Sequence, residues 1–152
     1  MAKKSGNQPK QITNRRARHD YELGDSLVAG IELTGGETKA LRLGHGHLRG
    51  AYVTVKGDEL LLINATIASA PGILISETDQ TRARRLLAKR REIDRLIQAK
   101  QQGNTIVPLE LLTGGRFIKL RLAIGRGKKR YDKRQTLKKR DQQRDIARDI
   151  KR

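Results

Sequence analysis

The sequence predicts a small, mainly β protein: an antiparallel barrel of five or six strands, with one short and one long helix on its flanks and a basic tail. Three observations lead there. Two pairs of apolar segments, AYVTV with ELLLINATI and TIVPLELL with RFIKLRLAI, enclose the tight turns KGD and TGG, the pattern of β-hairpins. Only two stretches show helical periodicity. At 152 residues the chain suits one domain with a modest core plus ends, and a barrel lets so few strands close their own edges.

The opening MAKKSGNQPKQ is polar and carries Gly and Pro, so residues 1–13 read as a flexible basic arm, 14–125 as the barrel domain and 126–152 as the tail. From Tyr21 to Leu33 the glycine-interrupted pattern YELGDSLVAGIEL predicts one bent strand. Thr34 can cap a short helix with Glu37 at its third position, the capping-box arrangement, and that helix ends near Gly44. GHGHLRG, Gly44 to Gly50, reads as a Gly-rich turn. A hairpin spans residues 51–67, and PGILISET, 71–78, can hold one more short strand. Asp79 or Thr81 can cap a long helix that runs to about Gln102 and stops at Gly103-Asn104. Its apolar side would carry Ala83, Leu86, Leu87, Ile93 and Ile97, with Arg84, Arg91 and Arg95 as a stripe opposite. A second hairpin spans Thr105 to Ile124, and Gly125 and Gly127 break its last strand. In the tail, Asp141–Arg144 and Asp145–Arg148 can each support a helical turn by a few tenths of a kcal/mol. That is too little to fold it free in solution, so the tail is expected to be disordered and to become helical on a polyanion.

Charge is segregated along the chain. Thirteen of the last 27 residues are Lys or Arg and four are Asp; residues 1–20 carry six basic side chains against one acid, and 82–100 eight against two. These stretches hold more than the whole formal charge of +18, which leaves −2 for the rest. A near-neutral body with three single-sign patches attracts polyanions and speeds encounter with them. RNA is the expected partner. A membrane is excluded, because no apolar run can span a bilayer, no lipidation signal is present and the tail has no broad apolar face. The absence of Cys excludes disulfides, thiolate zinc sites and Cys nucleophiles. With no apolar targeting segment at the start, the protein is expected in the cytoplasm. Tyr21, Tyr52, Phe117 and Tyr131 are its aromatic residues. Four scattered rings cannot build a generous stacking platform, which favours recognition through phosphates and folded RNA shape over base reading.

Candidate sites follow from local chemistry. His45 and His47 stand two apart, yet no Cys or carboxylate cluster accompanies them, and no metal or other cofactor is expected. The pairs Asp58-Glu59 and Glu77 with Asp79 fall in a turn and a cap, with no nucleophile, base and orienting group together, so no catalysis is expected. NRRARHDY, Asn14 to Tyr21, is different, because Arg15, Arg16 and Arg18 lead straight into a strand and would be held near the body. Tethered guanidiniums suit bidentate contact with RNA phosphates. GRGKKRYDKR, Gly125 to Arg134, sets Tyr131 among cations, so the ring can stack on a base while the cations hold the backbone. Two other classes share this composition: a ribosomal or assembly protein with basic extensions, and a metal-dependent nuclease using Asp58, Glu59 or Glu77.

NRRARHDY, GGETKALRLG (Gly35 to Gly44), RRLLAKRREIDRLI (Arg84 to Ile97) and GRGKKRYDKR, in this order, resemble the small protein B family, also called SsrA-binding proteins, over nearly the whole chain after about Ile12. The resemblance implies an oligonucleotide-binding-type (OB-like) barrel that binds the tRNA-like domain of transfer-messenger RNA. It further implies delivery of that RNA to ribosomes stalled on messages without a stop codon, with the tail in the vacant message channel at the decoding centre, beside small-subunit rRNA. Elongation factor Tu is the implied companion in delivery, and the protein is the implied monomer. Asn14 and Leu87 match family positions that bind the RNA, and Arg15, Arg16, Arg18, Lys39 and Arg42 lie in the same motifs. Arg84, Arg91 and Arg95 would grip the RNA by shape. Gly127, Lys128, Lys129, Tyr131, Asp132, Lys133 and Arg134 match the decoding-centre segment, where Tyr131 would stack on ribosomal RNA. The chain departs from the family pattern at Val28, where Glu is common and tied to RNA binding, at Gly36, where a bulky residue is usual, and at Ile67 to Gly72, where aromatic and His residues are usual.

Overall fold

A computed structural model describes residues 12–128, 134 and 137–144. In chain order its elements are β1 (Ile12–Thr13), α1 (Ala17–Asp20), β2 (Tyr21–Ile31), α2 (Gly35–Arg42), β3 (Gly46–His47), β4 (Tyr52–Lys56), β5 (Glu59–Ile63), β6 (Thr66–Ile67), α3 (Glu77–Gln80), β7 (Arg84–Leu87), α4 (Arg90–Gln101), β8 (Thr105–Leu112) and β9 (Lys119–Gly127). The main sheet runs β1-β8-β4-β5-β7-β2-β9, and β8 also pairs with β9, so six antiparallel strands close on themselves and β1 extends one edge of β8. Closure leaves few unpaired edges to protect. The interior is filled by alternate side chains, among them Ala29, Val53, Leu60, Leu62, Leu86, Ile106, Leu120 and Leu122, all 2% exposed or less.

Several expectations hold. β2 bends where its register against β9 shifts between Leu23 and Ser26. The capping box of α2 is formed: the Glu37 backbone N–H donates to Thr34 Oγ1 at 3.2 Å, and the Thr34 N–H donates to the Glu37 carboxylate at 3.2 Å. Both hairpins are present, β4 with β5 and β8 with β9.

Others need correction. The single long helix from Asp79 or Thr81 to Gln102 is three elements: α3, which Ser76 caps, then β7, then α4. β7 fills the slot between β5 and β2, with Arg84 and Leu86 inward and Arg85 and Leu87 outward. A helix there would leave the barrel open, so strand pairing overrides the helical spacing of Ala83, Leu86 and Leu87. α4 buries Leu96 and Ala99, with Ile93 and Ile97 half-buried. No strand spans 71–78; Ala70 and Ile73 make one bridge around Pro71-Gly72, and Leu74 is 98% exposed. The hairpin strand ends at Ile63, and Asn64, at φ 61°, turns the chain into β6. β9 runs through Gly125 to Gly127 instead of breaking at them. The boundary at residue 13 also moves, because Ile12 is buried and paired with Leu111. Residues 137–144 of the tail are helical, with Leu137 47% exposed.

The Gly-rich turn likewise contains a strand, since Gly46 and His47 pair with Ile67 and Thr66. A Cβ on Gly46 would stand 2.6 Å from Leu41 Cδ2 and 3.0 Å from the Thr66 carbonyl oxygen, and Leu41 is wholly buried. Gly46→Ala is therefore expected to destabilise the fold by about 1–3 kcal/mol through overpacking. The urea midpoint would read this, and an unchanged midpoint would show that β3 can shift away from Leu41.

Candidate nucleic-acid interface

The register of the sheet gathers residues far apart in sequence onto one outward face. Gly30 of β2 stands opposite Leu87 of β7 on one side and Lys119 of β9 on the other. In the next row Val28 stands opposite Arg121, Arg121 opposite Glu110 of β8, and Glu110 opposite Thr13 of β1. Paired residues of an antiparallel sheet share a face. Leu87 and Val28 are 48% and 41% exposed, and Lys119, Arg121 and Thr13 are exposed beside them. Arg121 donates to Glu110 at 2.6 Å. A Cβ on Gly30 would lie 3.3 Å from that of Leu87, so the glycine gives Leu87 its room.

Asn14 anchors the basic motif to this face. Its side-chain amide donates to the Pro108 carbonyl at 2.9 Å and its backbone N–H to the Leu109 carbonyl at 2.7 Å, bridging the end of β1 to β8. Ala17, 2% exposed, plugs α1 onto the body. Lys128 closes the motif from the other side, its ammonium donating to the Arg18 carbonyl at 2.8 Å and its N–H to the Asp20 carbonyl at 3.0 Å. Asn14, Arg15 and Arg18 thus border a cleft with Leu109, Glu110 and Arg121, continuous with the Val28 row. Arg15 and Arg16 also line an open groove of about 1080 Å³ that holds Arg49, Lys100, Tyr21 and Tyr52. None of Arg15, Arg16, Arg18, Lys39 and Arg91 forms an ion pair with another described residue, and all five are exposed. Arg91 and Arg95 are on α4, where Arg95 donates to Asp25 at 3.1 Å.

Arg84 does not join them. It is wholly buried, and its five N–H groups are turned inward: Nε to Glu37 Oε2 at 2.6 Å, Nη1 to the Ala65 and Arg82 carbonyls at 2.8 and 3.1 Å, Nη2 to the Asp79 and Gln80 carbonyls at 2.9 and 3.1 Å. Its place in an exposed helical stripe is corrected accordingly. Arg82 binds the other Glu37 oxygen. Burial by itself would raise the Glu37 pKa, but hydrogen bonds from Arg82, Arg84 and the Thr34 backbone, with the charge of Arg84, hold it below the ordinary carboxylate value. The cluster ties α2 to α3, to Ala65 just before β6 and to β7, and thereby sets where Lys39 and Arg42 stand.

Arg42 also has a structural task that sequence did not suggest: its Nη2 donates to the carbonyls of Gly115 and Arg116 at 3.2 and 2.9 Å, holding the β8–β9 loop against α2. That loop presents Phe117, 69% exposed, which the motifs had not singled out. Of the residues expected at the decoding centre, Gly127 pairs with Tyr21, Lys128 is placed as above and Arg134 is exposed and helical. Lys129, Tyr131, Asp132 and Lys133 lie outside the described residues. Asp58 faces Arg90 at 3.2 Å and Glu59 faces Arg85 at 3.7 Å. Among the described residues no group of three or more His, Cys, Asp or Glu converges, and no helix is long and apolar enough to cross a membrane.

Comparison with known proteins gives one answer. The family model described as SmpB protein matches residues 11–152. An SsrA-binding protein of Microcystis aeruginosa is 45% identical, covering 91% of this chain and 92% of the relative. One of Chloroflexus aggregans is 43% identical over 100% and 98%. A solved chain from "tmRNA-SmpB: a journey to the center of the bacterial ribosome" superposes with a TM-score of 0.65 at 37% identity, covering 81% of this chain and 87% of its own.

Proposed function

The chain belongs to the SmpB protein family, and on that premise we propose that it is a non-enzymatic adaptor that binds transfer-messenger RNA and delivers it to stalled ribosomes for trans-translation. One observation carries the site: Leu87, Val28 and Arg121 share a single outward face that Asn14, Arg15 and Arg18 border, four separate segments in all. Apolar contact at Leu87 and Val28 would seat the folded RNA, and the surrounding cations would hold its phosphates. Val28 stands where the family commonly has a Glu tied to RNA binding, so at this position an apolar side chain, 41% exposed, takes the place of a carboxylate. Arg91 and Arg95 on α4 would take a neighbouring stretch of backbone. Arg84 would serve that contact only through the position it gives α2 and β7.

The body, residues 12–128, acts as a monomer in the cytoplasm and grips the tRNA-like domain. Residues 129–152 enter the message channel, with Tyr131 at the decoding centre, and elongation factor Tu accompanies the complex during delivery. A cationic peptide can occupy a channel walled by phosphate when no messenger strand is there already. Sequencing the RNA that co-purifies with the protein should recover one transcript with a tRNA-like fold. Recovery of bulk ribosomal RNA alone, whether or not ribosomes are stalled, would favour a ribosomal protein instead. Affinity for that transcript should fall steeply with salt, log K dropping by about 0.7–0.9 per log unit of salt for each phosphate neutralised. A flat titration would contradict binding through phosphates.

A further inference from the structure

We propose that Phe117 is a stacking platform for one unpaired RNA base at the rim of the sheet face; this rests on the transfer-messenger RNA reading and names a contact within it. A phenylalanine 69% exposed is unusual in a protein with one Phe and no Trp. Its loop is held in place. Thr113 and Ile118 on either side are 6% and 4% exposed, and Arg42 fixes the Gly115 and Arg116 carbonyls from α2. The ring is thus kept from folding onto the core and presented in a set position, so little ordering entropy is lost on contact. The Arg116 guanidinium lies over the ring, 5.5 Å from its centroid. A cation beside an exposed π face is the pair that takes a base and its phosphate together.

Charge selects the occupant. TGGRFIKLR, residues 113–121, holds three cations and no acid, and Lys39 and Arg42 of α2 add two more. Lys119 stands in the Leu87 row, across Gly30, so Phe117 continues that row by two residues beyond the strand end. An unpaired base next to the tRNA-like fold satisfies both the ring and its cations.

The chain has no Trp, so Phe117→Trp installs a single indole at the site. Its emission is expected to be quenched on saturation with a transfer-messenger RNA transcript, with affinity close to that of the unaltered chain. Phe117→Ala should bind about 5- to 100-fold more weakly, with an unchanged slope of log K against log salt because no phosphate contact is lost. Phe117→Leu, which keeps apolar bulk without a π face, should resemble Phe117→Ala. Unquenched emission while labelled-RNA anisotropy reports full binding, or wild-type affinity for Phe117→Leu, would overturn stacking and leave the adaptor function standing. No binding of the transcript by the unaltered chain would overturn both.

Discussion

Cutting the chain after Lys128 is expected to abolish peptide tagging on stalled ribosomes while leaving affinity for transfer-messenger RNA nearly unchanged. The position of the cut follows from β9. That strand continues to Gly127, pairing Gly125, Arg126 and Gly127 with Leu23, Glu22 and Tyr21, and Lys128 then donates to the Arg18 and Asp20 carbonyls. Removing everything from Arg126 would strip the last pairs from β2 and release the clamp on the arginine motif. Affinity would then fall for a reason unrelated to the tail. A cut after Lys128 spares the clamp and still removes eleven Lys and Arg against four Asp. Filter binding to the transcript and a tagging assay on a message without a stop codon read the two functions separately. Near-normal tagging by the truncated protein would refute the division of labour, and so would a fall in affinity large enough to account for the lost tagging. A shuffled tail of equal charge discriminates further: if it restores tagging, bulk attraction to phosphate suffices, and if it does not, the order around Tyr131 matters.

The hairpins, the capping box and the bent first strand were legible because local signals decide them: a glycine turn between apolar runs, a Thr three residues before a Glu, two glycines in a strand. The segment from Thr81 to Lys89 was not. ARRLLAK shows no alternation and places Ala83, Leu86 and Leu87 at helical spacing, whereas the strand is chosen by a vacancy between β5 and β2 that only the assembled barrel contains. The same blindness misplaced Arg84, whose charge suggested solvent while its partner, Glu37, lies 47 residues away in sequence. Leu87, matched to an RNA-binding position through a family motif, was expected on a helix and stands instead on β7, facing outward. Asn14 was named as an RNA contact, yet its visible role is to bind the Pro108 carbonyl. Phe117 went unassigned because exposure of a lone aromatic is a property of a loop held by Arg42, and no pattern within the loop announces it.

Replacing Arg84 by Met should cost about 3–5 kcal/mol of stability, the range for removing one partner of a buried pair. Out of a total typically of about 5–15 kcal/mol, that lowers the melting temperature by on the order of 10 °C or more. The loss has two sources. Glu37, 2% exposed, would keep Arg82 on one carboxylate oxygen and lose the donor to the other, and the carbonyls of Ala65, Asp79, Gln80 and Arg82 would lose theirs. Arg84→Lys should recover only part, because an ammonium has three donors where the site uses five. Pairing Arg84→Met with Glu37→Gln should recover more than additivity allows, since the second change removes the stranded charge. pH supplies an independent check. The folded-state pKa of Glu37 lies below its unfolded value, so its stabilisation is complete above the ordinary carboxylate range and is lost as pH falls through the lowered value. Glu37→Gln should therefore flatten the decline of stability on the acid side of about pH 4.5, while leaving the profile near neutrality merely displaced. RNA binding then separates Arg84 from the surface arginines: below its melting point the folded Arg84→Met protein should keep the unaltered salt slope, whereas Arg91→Ala should reduce it by about one phosphate. A folded Arg84→Met protein with a reduced slope would mean that this guanidinium leaves its internal partners to meet the RNA.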